Sequence, residues 1–180
     1  MTTNQRIRTF IIAAMSKDGF IANETHVNSF EWTSKEDKAN FRELTKKAGL
    51  VIVGSKTYET FDPRFRPLSD RHNVVYSRLK QYAGKNVETA SGDPGTLLEK
   101  LTKCGFTEAA IIGGREIYRM FLDADLVDRI HLTIEPVEFR SGTPFHTGYL
   151  ESRFDIVTEQ TINDKGTIFR EYMRKSIPTH

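Results

Sequence analysis

Residues 8–15 form an apolar, partly β-branched run that ends in the polar string SKDG, the pattern of a buried strand entering a turn. A polar stretch from Ala22 to Glu31 reads as loop. Behind it, Phe41, Leu44 and Ala48 fall on one helical face, while Lys35, Lys38, Arg42, Glu43, Lys46 and Lys47 fall largely elsewhere. Thr33 with Glu36, and Ser34 with Asp37, both have capping-box spacing, and Gly49 closes the helix. LVIVG, Leu50 to Gly54, is a second buried strand and SKTYETF a short helix after it. DPRFRPLSDR is a proline-marked loop, and NVVYS, Asn73 to Ser77, a third strand. Asp93 to Lys103 predicts a helix with Pro94 in its first turn. EAAIIGG is a fourth strand leading into the helix REIYRMFL.

After Asp128 the pattern changes. RIHLTIEPV alternates as a strand, and FDIVTEQTI and GTIFREYMRK flank NDKG, a hairpin signal. Strands alternating with helices require a mainly parallel sheet. The expected architecture is α/β: a central, mostly parallel twisted sheet with flanking helices and an antiparallel C-terminal hairpin, in one domain spanning residues 1–180.

At 180 residues the chain suits a single core, burying roughly 70% of its unfolded surface. Its net charge of +2, with acids and bases interspersed, leaves no electrostatic footprint for nucleic acid. The apolar run near the N-terminus is too short for a membrane span. We therefore expect a cytoplasmic protein with a small-molecule partner, monomeric or homodimeric, binding neither nucleic acid nor membrane. Cys104 is the single cysteine, expected half-buried in its helix, which excludes an internal disulfide. His26, His72, His131, His146 and His180 are not closely paired, so no metal site is signalled.

One acid is out of pattern. Phe41, Leu44 and Ala48 follow Asp37 by four, seven and eleven positions, so Asp37 points where the apolar stripe points. A carboxylate there loses hydration and its pKa rises unless hydrogen bonds or cations compensate. Such an acid beneath a cleft takes part in proton transfer; alternatively, an Asp in a first turn caps the backbone and suits the helix dipole. AIIGGREIY adds a glycine pair between a strand and a helix, where unblocked amides favour a phosphate or simply a tight turn. Lys56 and Thr57 follow a second strand, Ser77 and Arg78 a third. Strand carboxyl ends are where an open α/β sheet binds a nucleotide.

In this order the features resemble the dihydrofolate reductase family, from about Phe10 to Tyr172. The segment VIVGSKTYETFDPRFRPLSDRHNVVYSR carries the most weight, then Trp32, Asp37 and Phe41, then IIGGREIY with Phe121, then HLTIEPV. The resemblance implies NADPH as cofactor, dihydrofolate as substrate and a place in tetrahydrofolate biosynthesis. It makes Asp37 the pocket acid that holds the pterin's amino group and ring nitrogen. Thr133 would support that acid, and Trp32 would hold a nearby water. Phe41 and Ile112 would pack on the pterin, with Ala14 and Tyr118 also on the substrate side, and Arg71 would clamp a glutamate carboxylate. Ala13 and Ile21 would meet the nicotinamide end; Thr57, Gly113, Gly114, Arg115, Glu116 and Ile117 would surround the pyrophosphate. Lys56, Ser77 and Arg78 would form a 2′-phosphate site favouring NADPH over NADH.

The chain departs from the family's pattern in a longer loop from Asn23 to Glu31, in Ser34 and Lys35 after Trp32, in Ser55 and in Ala22. AMSKDGFIA and WTSKED are similar also to a sibling reductase of the riboflavin pathway, which acts on a ribosylamino-pyrimidine phosphate. Arg71 and Asp37 favour folate over that substrate. A non-catalytic nucleotide-binding protein is the rival from another class, and Asp37 with Thr133 speaks against it.

Overall fold

The computed structural model describes residues 6–145 and 150–176; His146 and His180 lie outside them. The chain order is β1 (Arg8–Ser16), β2 (Phe20–Ala22), α1 (Lys35–Ala48), β3 (Leu50–Gly54), α2 (Ser55–Thr60), β4 (His72–Tyr76), β5 (Val87–Ala90) and α3 (Pro94–Lys103). There follow β6 (Glu108–Ile111), α4 (Arg115–Asp123), β7 (Arg129–Glu135), β8 (Thr143–Pro144), α5 (Leu150–Arg153), β9 (Phe154–Thr161) and β10 (Ile168–Arg174). Eight strands form one sheet in the order β5-β4-β3-β6-β1-β7-β10-β9, and β2 pairs with β8 separately. The first six are parallel, and the β9–β10 hairpin adds antiparallel to β7. The expected mainly parallel sheet with a terminal hairpin is therefore observed.

The continuous apolar runs follow from burial of the sheet on both faces. Along β1, Ile11, Ala13 and Met15 enter one core while Phe10 and Ile12 enter the other. Leu50 and Ile52 of β3 likewise face the first, Val51 and Val53 the second. Helices α3 and α4 cover the first face, α1 and α2 the second.

Helix α1 is capped by Ser34, whose Oγ accepts from the amide of Asp37 at 3.2 Å. The Asp37 side chain is thus released from capping. Gly49 ends the helix at φ +70°, a left-handed conformation that favours glycine. One expectation is corrected. Cys104 caps the end of α3 and is exposed, because the helix stops there and its side chain leaves the apolar face. On α1 Asp37 and Thr45 are buried, while Phe41, Leu44 and Ala48 are partly covered. No helix among the described residues is long and apolar enough to cross a membrane.

Candidate active site

A cleft of about 950 Å³ opens at the carboxyl ends of the parallel strands. Ala13 and Ala14 of β1, Gly54 of β3, Tyr76 of β4 and Ile112 after β6 meet there, with the residues that follow each strand. A parallel sheet places strand ends and helix starts together, so four separate sequence segments converge on one crevice.

Asp37 forms part of its wall and is 8% exposed. Burial pushes its carboxyl above the usual aspartate range; the Thr133 and Thr33 hydroxyls and Lys38 oppose the shift, and Glu135 adds to it. Thr33 Oγ1 is buried without a partner in hydrogen-bond geometry among the described residues, although it is near enough to the carboxyl to act on it. Glu135 is itself 3% exposed. Its Oε1 accepts from the amide of Ser34 and its Oε2 from Thr167 Oγ1, each at 2.7 Å. Tyr118, also lining the cleft, is buried and donates its hydroxyl to the carbonyl of Ile12 at 3.0 Å. Burial and the neighbouring Asp37 raise the Tyr118 pKa.

The second part of the cleft is a cradle of backbone. Gly54 donates its amide to the carbonyl of Gly113 at 2.7 Å, drawing the β3–α2 and β6–α4 turns together. A Cβ on Gly114 would lie 2.7 Å from Thr57 Oγ1, so any larger residue there must displace the threonine or the turn. Gly113 has φ +119° and is equally restricted; the Gly113–Gly114 peptide is cis. Helix α4 begins directly after this pair with no side-chain cap on its first amides, and its first residues line the cleft. Arg115 Nε is buried with no partner among the described residues. Lys56, Arg78 and Arg115 line the cleft without any ion pair to a described acid, beside Glu116. Unpaired cations around an amide-rich turn suit a ligand with several phosphates.

Of the residues singled out in the sequence, Asp37, Ala13, Ala14, Ile21, Phe41, Lys56, Thr57, Ser77, Arg78, Ile112, Gly113, Gly114, Arg115, Glu116, Ile117 and Tyr118 line this one cleft. Three stand behind it. Thr133 is buried on β7 beside Asp37. Trp32 packs edge-on against Phe139, ring centroids 4.9 Å apart, with its Nε1 buried and without a partner among the described residues. Arg71 is buried and spends its guanidinium on Thr45 Oγ1 at 2.6 Å and the carbonyl of Ser69 at 2.8 Å.

Two participants escaped the sequence reading. Glu135 was visible as an acid in an alternating strand; Phe30 was a lone aromatic in a polar loop. Phe30 lines the cleft against Phe41 and Phe61. Among the described residues no group of three His, Cys, Asp or Glu side chains is arranged to hold a metal.

The family model described as dihydrofolate reductase matches residues 8–174. A dihydrofolate reductase of Neisseria meningitidis is 34% identical over 153 residues, covering 82% of this chain and 88% of that protein. The dihydrofolate reductase type 3 of Salmonella typhimurium is 33% identical, covering 75% of this chain and 76% of that one. Against the Mycobacterium tuberculosis enzyme the identity is 34%, but the match spans only about half of either chain, 51% and 52%. Among solved structures, a Shewanella sp. PV-4 protein assigned to riboflavin biosynthesis superposes with a TM-score of 0.77 at 22% identity, covering 94% of this chain and all of that one. A Thermotoga maritima diaminohydroxyphosphoribosylaminopyrimidine deaminase and phosphoribosylaminouracil reductase gives 0.75 at 19% identity, over 96% of this chain and 58% of that one. At such identity the structural likeness concerns the fold alone.

Proposed function

The chain belongs to the dihydrofolate reductase family, and we propose that it reduces 7,8-dihydrofolate to 5,6,7,8-tetrahydrofolate with NADPH. The observation that carries this reading is the buried Asp37 carboxyl opening into the same cleft as the Gly113–Gly114 cradle. The cradle suits NADPH: Thr57, Gly114 and Arg115 would hold its pyrophosphate, and Lys56, Ser77 and Arg78 a 2′-phosphate. When bound, NADPH supplies the hydride that pterin C6 receives.

The protein's part is orientation and field. Asp37 would bind the pterin's amino group and ring nitrogen through both carboxylate oxygens, with Phe41 and Ile112 fixing the ring plane. The ionised carboxylate would stabilise a protonated ring, and because burial raises the Asp37 pKa the Asp37–pterin pair would keep its shared proton to higher pH. N5 would take its proton from water, and Trp32 Nε1, without a partner among the described residues, is a donor that would hold one. Thr133 would keep the carboxyl turned toward the ring.

The test is NADPH oxidation followed with dihydrofolate, then with the riboflavin-pathway pyrimidine phosphate. Turnover of the first upholds the reading, and turnover of the second alone replaces it. That sibling reaction requires further cations to seat a sugar phosphate, and the cleft's Lys56, Arg78 and Arg115 already surround the cofactor cradle.

A further inference from the structure

Helix α1 carries Asp37, Phe41 and Thr45 at intervals of four residues, on one face. Thr45 holds the Arg71 guanidinium. At 1.5 Å of rise per residue, about 12 Å separates the ring anchor from the residue that holds Arg71, with Phe41 midway. A ligand fixed at Asp37 and extended toward Arg71 has to pass over Phe41.

That place is taken. The Phe30 ring meets Phe41 edge-on, with centroids 5.2 Å apart at 87°, and faces Phe61 at 6.2 Å and 70°. Its backbone is held in position by Asn28, whose Oδ1 accepts from the Phe30 amide at 3.0 Å and whose Nδ2 donates to the carbonyl of Thr60 at 3.1 Å. The loop is thereby tied to the end of α2 beside the cleft, which Asn28 and Thr60 both line. Arg71, beyond it, is buried and does not line the cleft at all.

Building on the pterin reductase reading, we infer that Phe30 is a specificity-determining residue. It closes the slot between Phe41 and Phe61, so the site takes a reduced pterin with a small C6 substituent in preference to one with an aryl-glutamate tail. A tailed substrate enters by swinging Phe30 out, giving up two aromatic contacts and the Asn28 tie, a penalty on the order of tenfold or more in its apparent affinity.

The experiment measures kcat/KM for dihydrofolate and for 6-methyl-7,8-dihydropterin, in the wild type, Phe30→Ala and Asn28→Ala. Binding of folate and of 6-methylpterin is titrated in parallel by fluorescence quenching. Phe30→Ala should move the tailed-to-tailless ratio toward dihydrofolate by on the order of tenfold, and Asn28→Ala should move it the same way by less. A ratio unchanged or moved the other way overturns the inference; if Phe30→Ala does not fold, Asn28→Ala decides. A shifted binding ratio without turnover of either compound upholds the gate and removes the reductase reading. Turnover of both compounds with ratios identical across the variants does the reverse.

Discussion

Glu135 holds the helix that presents Asp37. Its Oε1 accepts the amide of Ser34, the N-cap of α1, three residues before Asp37. One buried carboxylate thus fixes the start of the helix that carries another, and its charge keeps the second from ionising easily. Two acids from distant parts of the chain form one device, the first adjusting both the position and the proton affinity of the second.

Replacing Glu135 by Gln keeps an oxygen for the Ser34 amide and removes the charge. Asp37 then loses its proton at lower pH. On the proposed mechanism turnover declines as the Asp37–pterin pair deprotonates, so in Glu135→Gln the decline sets in at lower pH than in the wild type. A pH profile of kcat, with thermal melting to show an intact fold, checks this. An unshifted profile means that the charge does not reach the acid.

Asp37→Asn should lower kcat with dihydrofolate by about 100-fold or more near neutral pH, leaving NADPH affinity nearly unchanged. Its effect on stability has the opposite sign. A carboxyl whose folded pKa lies above its unfolded value loses stability as pH rises through the folded pKa, so the charged group is a cost at neutral pH. The variant should melt at the wild-type temperature or above it, by roughly 2–4 °C for each kcal/mol of burial cost relieved. Melting well below the wild type in calorimetry would show the side chain to be structural.

Gly114→Ala places a methyl 2.7 Å from Thr57 Oγ1. The turn must shift or Thr57 must rotate, and an adjustment worth about 1–3 kcal/mol raises the Kd for NADPH by roughly 5- to 150-fold. Titration of NADPH binding by fluorescence, with circular dichroism as control, reads this directly. An unaltered Kd would remove the cradle from the cofactor site.

His131 supplies a pH prediction unrelated to catalysis. It is buried between Phe10 and Phe169, and burial lowers its pKa, with Arg129 acting in the same direction and Glu171 and Glu108 against it. A histidine with a depressed folded pKa gives stability that is present above its unfolded pKa and lost as pH falls toward the folded one. Tm should therefore fall between about pH 7.5 and pH 5.5, and fall less in His131→Phe, which keeps the aromatic packing. Equal slopes of Tm against pH in the two proteins would contradict this.

The sheet was legible because its strands are buried on both faces and so stand out as apolar runs; Leu50–Gly54 agrees residue for residue. Strand β5, VETA, was missed because a four-residue edge strand with half-buried side chains has no period to detect. β2 and β8, of three and two residues, are shorter still. Asp37 was found by its conflict with the apolar stripe, whereas Thr45, its companion on the same face, gave no sign, a threonine being ordinary on either side of a helix. What could not be read was placement across the fold. That Arg71 turns to Thr45, that Phe30 fills the space beside Phe41, and that Glu135 reaches Ser34 all depend on contacts between segments far apart in sequence.

On the proposed function, the buried Asp37 and the Gly113–Gly114 cradle share one cleft in order to reduce a dihydropterin ring. The direct measurement is NADPH consumption with dihydrofolate and with 6-methyl-7,8-dihydropterin, in the wild type and Asp37→Asn. One NADPH should be oxidised per pterin reduced, and that turnover should be lost in Asp37→Asn at unchanged NADPH affinity. NADPH bound by the wild type but consumed with neither pterin, or consumed equally by both proteins, would contradict it.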